Sequence, residues 1–306
     1  MGESVMLALA ASFCTATSSV CQRIGAKSSE TTGFDVWLVF RLARRPVWLL
    51  GLVSMIVGFA FQVSALRFGP LALVQPILAV ELLFVFGYMA VIGSRRVEGR
   101  DWLAAVAMSA GLVLFLLAAS PSGGRLHASG SLWWLAGLAC LGVVLLAVSA
   151  AIGLGRRPGT PSRRAAVLGA ATGISWGFVA AVIKEFSSHL GDGFGAIVSN
   201  WSLYALIGVG AATMLLASHA LAAGPLAASQ PGFTILDPLS ASLLGLFLFG
   251  EHIQTGAMNL AAEALALAIL VAGVSALSHS HLVAGEDESP SGQAAGMARA
   301  NSTQCC

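Results

Sequence analysis

The sequence predicts an all-α membrane protein with about nine transmembrane helices, built as two inverted four-helix repeats joined by a central helix. Three observations carry that prediction. Hydrophobic residues make up 57% of the 306-residue chain and charged residues only 10%, whereas soluble globular domains run at about 45–50% and 25%. The apolar residues fall into nine stretches of roughly the 20 residues an α-helix needs to cross a hydrocarbon core. The third observation is a repeat: GPLALVQP at 69–76 returns as GPLAASQP at 224–231.

The stretches are 4–21, 47–66, 70–92, 102–119, 132–153, 165–184, 197–218, 225–249 and 256–277. The first begins after an acidic MGES rather than a basic segment and has no small-residue cleavage site, so it reads as a helix rather than a signal peptide. It is rich in Ala, Ser, Thr and Cys, residues that let transmembrane backbones approach closely. Between the first two stretches, the segment 22–46 mixes apolar and basic residues in DVWLVFRLARR, as a short interfacial helix does. Helices two to four follow through tight turns. The polar loops around 120–131 and 155–164 then set off the fifth stretch. Gly169, Gly173 and Gly177 give the sixth stretch a small-residue face, suited to packing inside the chain or to a homodimer. Beyond 278 the chain turns polar and acidic, the composition of a disordered tail. The resulting units are 1–120, 121–164 with the central helix, 165–278, and the tail 279–306.

Loop charge orients the bundle. Thirteen of the sixteen basic residues, among them Arg23, Arg45, Arg95, Arg100, Arg156 and Arg164, fall on one side, against Arg67, Arg125 and Lys184 on the other. Cytoplasmic loops collect Lys and Arg, so the N-terminus is expected outside and the C-terminus in the cytoplasm. Trp48, Trp102, Trp133, Trp134 and Trp201 stand at helix starts, where headgroup-level rings are favoured. Trp176 alone sits mid-helix. Arg far outnumbers Lys, which points to a GC-rich bacterial genome and an inner (plasma) membrane. The lipid bilayer is the expected partner; no nucleic acid and no cofactor are predicted.

The octapeptides lie 155 residues apart, and with one central helix between the units the second enters the membrane from the opposite side. Secondary transporters are commonly built this way, with a site near the midplane at the repeat interface. Each octapeptide is followed by one acid, Glu81 or Asp237. At ~1.5 Å per residue these lie about 16 Å and about 18 Å from their helix starts, near mid-membrane. A carboxylate at that depth faces a bundle interior or wet cavity and marks an ion, proton or substrate path. Burial disfavours its charged form, as proton coupling requires. If a cation is carried, the same two acids are its ligands.

Pro76, Pro231 and Pro238 lack the N–H that would bond four residues back, so they kink a helix and expose acceptors. Gln75 and Gln230 adjoin two of them, and Gln62 lies at a depth similar to Gln75, so Gln62 and Gln75 are expected to share a vestibule. The stretch 225–249, with Pro231, Gly232 and Pro238 around Asp237, is the expected discontinuous helix. Glu263 has no counterpart in the first unit and is a third candidate acid; Trp176 is a candidate stacking wall for an organic solute. The six histidines (127, 189, 219, 252, 279, 281) are scattered in sequence, and no HExxH, GxSxG or nucleotide-binding loop occurs. No enzyme and no direct ATP drive are therefore expected.

The paired GPLALVQP and GPLAASQP starts, together with Phe249-Gly250-Glu251-His252-Ile253, resemble the EamA-type repeats of the drug/metabolite transporter superfamily. In the first copy the Gly-Glu turn is replaced by Gly93-Ser94-Arg95-Arg96-Val97. Most EamA members have ten helices and two cytoplasmic termini. Nine helices, an external N-terminus and a basic segment after the first helix make this chain more similar to the NIPA-type magnesium transporter branch. The resemblance implies a secondary transporter of a small polar or cationic solute, with a magnesium or divalent-cation permease as the alternative; a structural membrane protein without transport is the remaining reading.

Overall fold

A computed structural model of the chain describes residues 2–27, 45–92, 99–155, 160–224, 226–254 and 256–278. The expected interfacial helix in 22–46, the loop arginines 95, 96, 156 and 157, and the tail 279–306 lie wholly or mainly outside the described residues. The elements are α1 (Gly2–Lys27), α2 (Pro46–Phe68), α3 (Leu71–Leu78), α4 (Glu81–Ile92), α5 (Gly99–Ala119), β1 (Ser122–Gly123), α6 (Gly130–Gly155), α7 (Pro161–Ser188), α8 (Phe194–Ser199), α9 (Trp201–Ala222), α10 (Leu226–Phe249), β2 (Glu251–His252) and α11 (Ala257–Ser278). A single 3-10 turn, His189–Gly191, follows α7.

The protein is an all-α membrane protein. Seven of the described helices are long and apolar enough to cross a membrane, and Leu71–Val85 and Ala257–Gly273 are shorter apolar helices. Helix α6 shows the membrane character most plainly. Its Leu135, Leu138, Leu141, Leu145 and Leu146 are all exposed, an outward apolar face that water does not favour and lipid does.

Helix bounds follow local chemistry. Pro46 and Pro161 open α2 and α7, where a missing N–H costs nothing because first-turn donors have no helical partner. Helix α9 starts at 201 rather than the predicted 197, because the Asn200 side chain accepts from Ser202 N–H at 2.9 Å and so caps a new helix.

Close packing runs through glycines. A Cβ at Gly169, Gly173 or Gly177 of α7 would strike Ser229, Gly232 or Ser240 of α10, so the small-residue face is spent inside the chain, on a partner that rises in parallel. In the first unit α1 likewise runs parallel to α3 and α4: Ser12 Oγ donates to Ile77 O at 3.2 Å, Ser19 Oγ to Glu81 Oε1 at 3.0 Å, and Thr17 Oγ1 lies 2.7 Å from Tyr88 Oη. Helices α5 and α11 pack antiparallel, Gly111 against Ala266 and Leu270, Gly273 against Ala104 and Met108.

One expectation is corrected. The discontinuous helix is the stretch 70–92, not 225–249. Pro76 removes a helical donor, α3 ends at Leu78, and the chain passes through Ala79 and Val80 in tight turns, Ala79 N–H to Pro76 O at 3.2 Å and Val80 N–H to Ile77 O at 3.0 Å, before α4 starts at Glu81. Helix α10 contains both Pro231 and Pro238 yet stays continuous, braced along its length by the glycine face of α7. Trp133, near the start of α6, is buried within 5.0–6.1 Å of the rings of Trp201, Phe178 and Phe249; Trp134 next to it is exposed.

Replacing Gly173 by Val should destabilise the fold, since overpacking a tight contact costs about 1–3 kcal/mol. Thermal unfolding of the purified chain in detergent checks this: a lowered midpoint is expected, and an unchanged midpoint with altered self-association would mean that the face packs between copies.

Candidate functional site

Helices α1, α2, α3, α4, α7, α9 and α10 line a half-open cavity of about 580 Å³, within the range typical of small-molecule sites. Glu81, Asp237, Gln62, Gln75, Trp176 and Pro238 all line it. Residues separated by up to 176 positions in sequence thus meet on one wall system, and the expected shared vestibule of Gln62 and Gln75 is part of it. Thr15, Thr234, Phe59, Phe233 and Met214 complete much of the polar and aromatic lining. No Lys, Arg or His lines the cavity among the described residues.

Local structure aims the two acids differently. Glu81 is the first residue of α4, where the helix dipole favours a negative charge, and its Oε1 accepts from Ser19 Oγ. The break after Pro76 therefore creates a helix N-terminus inside the bundle and puts a carboxylate on it. Asp237 lies within continuous α10; its Oδ1 is buried and has no hydrogen-bond partner. An orphaned acceptor at a cavity wall is costly unless a water, a proton or a ligand satisfies it.

The remaining candidates fall elsewhere. Pro76 lines a small apolar gap with Ile235, Leu267 and Leu270. Pro231 contributes to the entry of α10, and the side chain of Gln230 lies outside the described residues. Glu263 sits on α11 and is not among the described cavity-lining residues; its Oε1 is buried without a partner.

The most heavily bonded ionic group was not among the sequence candidates. Glu251 is fully buried and pairs with buried Lys184, whose Nζ also lies 3.5 Å from Gly69 O. The same carboxylate accepts from Leu71 N–H at 2.5 Å and Ala72 N–H at 2.9 Å, so it caps the free donors at the start of α3. Lys184 Nζ stands 4.8 Å over the Phe249 ring, a cation–π geometry. Glycines make room: a Cβ at Gly245 would overlap Glu251 Oε2, and Gly250 turns the chain at φ 62°. Lys184 directly follows Ile183 of the lining, and Leu71 and Ala72 precede Gln75 by about one helical turn, so the pair sits next to the cavity wall without lining it.

Backbone pairing holds that end together. β1 and β2 join antiparallel, Ser122 opposite His252 and Gly123 opposite Glu251. Arg125 N–H donates to Phe249 O at 2.7 Å and Gln254 N–H to Ala119 O at 3.0 Å. Lys184, counted from sequence as an external loop charge, is thus an interior ion-pair partner. A sequence signal for Glu251 existed in the Gly250-Glu251 turn, but nothing in the sequence pointed to the helix start that it caps.

No family model matches the chain, and no solved structure matches it. The chain is similar to an uncharacterized protein of Corynebacterium glutamicum, 25% identical over 280 residues, covering 90% of this chain and 94% of that one. The likeness extends through both units and the central helix.

Replacing Lys184 by Met leaves Glu251 buried without its counter-charge, which should cost about 3–5 kcal/mol. In unfolding measurements on K184M, E251Q and the double variant, the double loss should fall well short of the sum. Additive losses would show that the two groups do not act as a pair.

Proposed function

We propose that the protein is a membrane secondary transporter that carries a small organic cation, or a polar solute with a cationic group, by alternating access around the cavity of Glu81 and Asp237. One observation carries this reading: four polar residues and an aromatic one, each selected from sequence as a pathway residue, line a single cavity of about 580 Å³. Two carboxylates and no described basic counter-charge give it a cation-attracting interior. Trp176 and Phe59 supply ring faces of the kind that hold cations.

The volume favours an organic solute over a bare ion, which needs a far smaller cage. It also bears on the resemblance to drug/metabolite transporters, whose magnesium-carrying branch remains the second outcome of the test. The parallel pairing of α1 with α3–α4 and of α7 with α10, beside antiparallel α5 and α11, supports two units of inverted topology. Lys184–Glu251 ties the second unit to the start of α3 in the first, at the end assigned to the outside by loop charge. In this reading exchange between states breaks or moves that tie. The protein resides in a bacterial inner membrane, N-terminus outside and C-terminus inside, and performs no enzymatic step.

Proteoliposomes holding the purified chain, assayed with a panel of organic cations, neutral metabolites and Mg²⁺ with and without a pH gradient, test this. Cation uptake that follows the gradient and falls at least tenfold in both Glu81→Gln and Asp237→Asn is expected. Mg²⁺ flux indifferent to the gradient would move the assignment to a divalent-cation permease. Absence of any flux sensitive to these two substitutions would overturn transport through this cavity.

A further inference from the structure

His127, in the connector before α6, meets Glu185 and His189, four residues apart at the end of α7, with one ligand atom from each within 4.8 Å of the others. From this juxtaposition we propose a binding site for a divalent first-row transition ion, represented by Zn²⁺, which clamps the connector between α5 and α6 to the end of α7. The site is separate from the cavity and does not depend on its assignment.

The carboxylate is already held as a ligand. Glu185 is almost fully buried, and its Oε2 accepts from Ala128 N–H at 3.2 Å and Trp133 Nε1–H at 3.3 Å. Its other oxygen, Oε1, faces His127 Nδ1 at 3.2 Å. Two ligand atoms about 2.0–2.1 Å from one tetrahedral ion stand roughly 3.3 Å apart, so this pair has the spacing of an ion's edge before any ion arrives.

The second imidazole is oriented from behind. His189 Nδ1 lies 3.3 Å from Asp192 Oδ2, which fixes that nitrogen as the N–H donor and leaves Nε2 as the ligand. Metal-binding histidines are commonly supported by a carboxylate in this way. The His127 and His189 ring centroids are 4.8 Å apart. His127 is half exposed, on a connector, and also has Ser188 Oγ at 3.2 Å from Nδ1. A modest rotation of that side chain closes the triangle. Two imidazoles and a carboxylate leave a fourth position for water, a set that suits zinc and its neighbours and not Mg²⁺, which prefers all-oxygen ligation.

The alternative is a hydrogen-bonded tie between His127 and Glu185 with no ion. The two are separated by Zn²⁺ titration of the full chain, purified in detergent without an affinity tag and stripped with chelator. The background carries His279→Ala, His281→Ala, Cys305→Ser and Cys306→Ser, which removes the competing donors of the tail. Competition against a chromophoric chelator should give one Zn²⁺ per chain and a raised thermal midpoint. His127→Ala and His189→Ala should each weaken binding at least tenfold. Asp192→Asn, a positioning change, should weaken it by about 10–100-fold while keeping the stoichiometry. Because His127 is exposed, its variant folds independently of the metal and decides the matter if Glu185→Gln does not. Failure of the background protein to compete for Zn²⁺, or an affinity unchanged in both histidine variants, overturns the site.

Discussion

The buried carboxylate of Glu251 is the constraint on which the placement of α3 against α7 rests. A charge without water must meet partners in every direction, and this one meets Lys184 from α7 and two N–H groups from the start of α3. Those donors would otherwise be orphaned, because the first turn of any helix lacks acceptors. One residue therefore satisfies a helix end, neutralises a buried ammonium and fixes where α3 begins relative to α7. The short β1–β2 pair and the positive φ of Gly250 hold the turn that delivers it. Everything on the near wall of the cavity, from Gln75 to Glu81, is positioned downstream of that cap.

The cavity itself arises from the way two proline-bearing segments resolve the same problem differently. In the first unit, Pro76 ends a helix and Glu81 opens the next, giving a dipole-supported charge. In the second, α10 keeps its course past Pro231 and Pro238 because the glycine face of α7 braces it, leaving Asp237 Oδ1 without a partner. The copies are alike in sequence and unlike in outcome. Such asymmetry gives a cavity one carboxylate that is already satisfied and one that is not, a useful combination where a charged or protonatable group has to bind and leave.

Adjacent residues on α7 have opposite assignments. Lys184 turns inward to Glu251, while Glu185 turns toward the connector, Trp133 and the two histidines. The end of this helix is thus where the Lys184–Glu251 pair and the candidate metal clamp meet, and a single 3-10 turn carrying His189 follows directly.

The sequence by itself determined the class of the protein and marked six of the residues that line the cavity, Glu81, Asp237, Gln62, Gln75, Trp176 and Pro238. Composition and apolar periodicity specify membrane helices, because in hydrocarbon only internally bonded backbone is tolerated. The octapeptide repeat drew attention to Glu81 and Asp237, since a carboxylate at that depth has few places to be. Tertiary structure alone decided three things. It chose which proline segment breaks, through packing of α10 on α7 that no local propensity encodes. It paired Lys184 with Glu251 across 67 positions and gave the pair a helix to cap. It also brought His127 to His189, which sequence spacing had left scattered. Each depends on which surfaces meet, and helix periodicity fixes the faces of a segment without naming the neighbour that covers them.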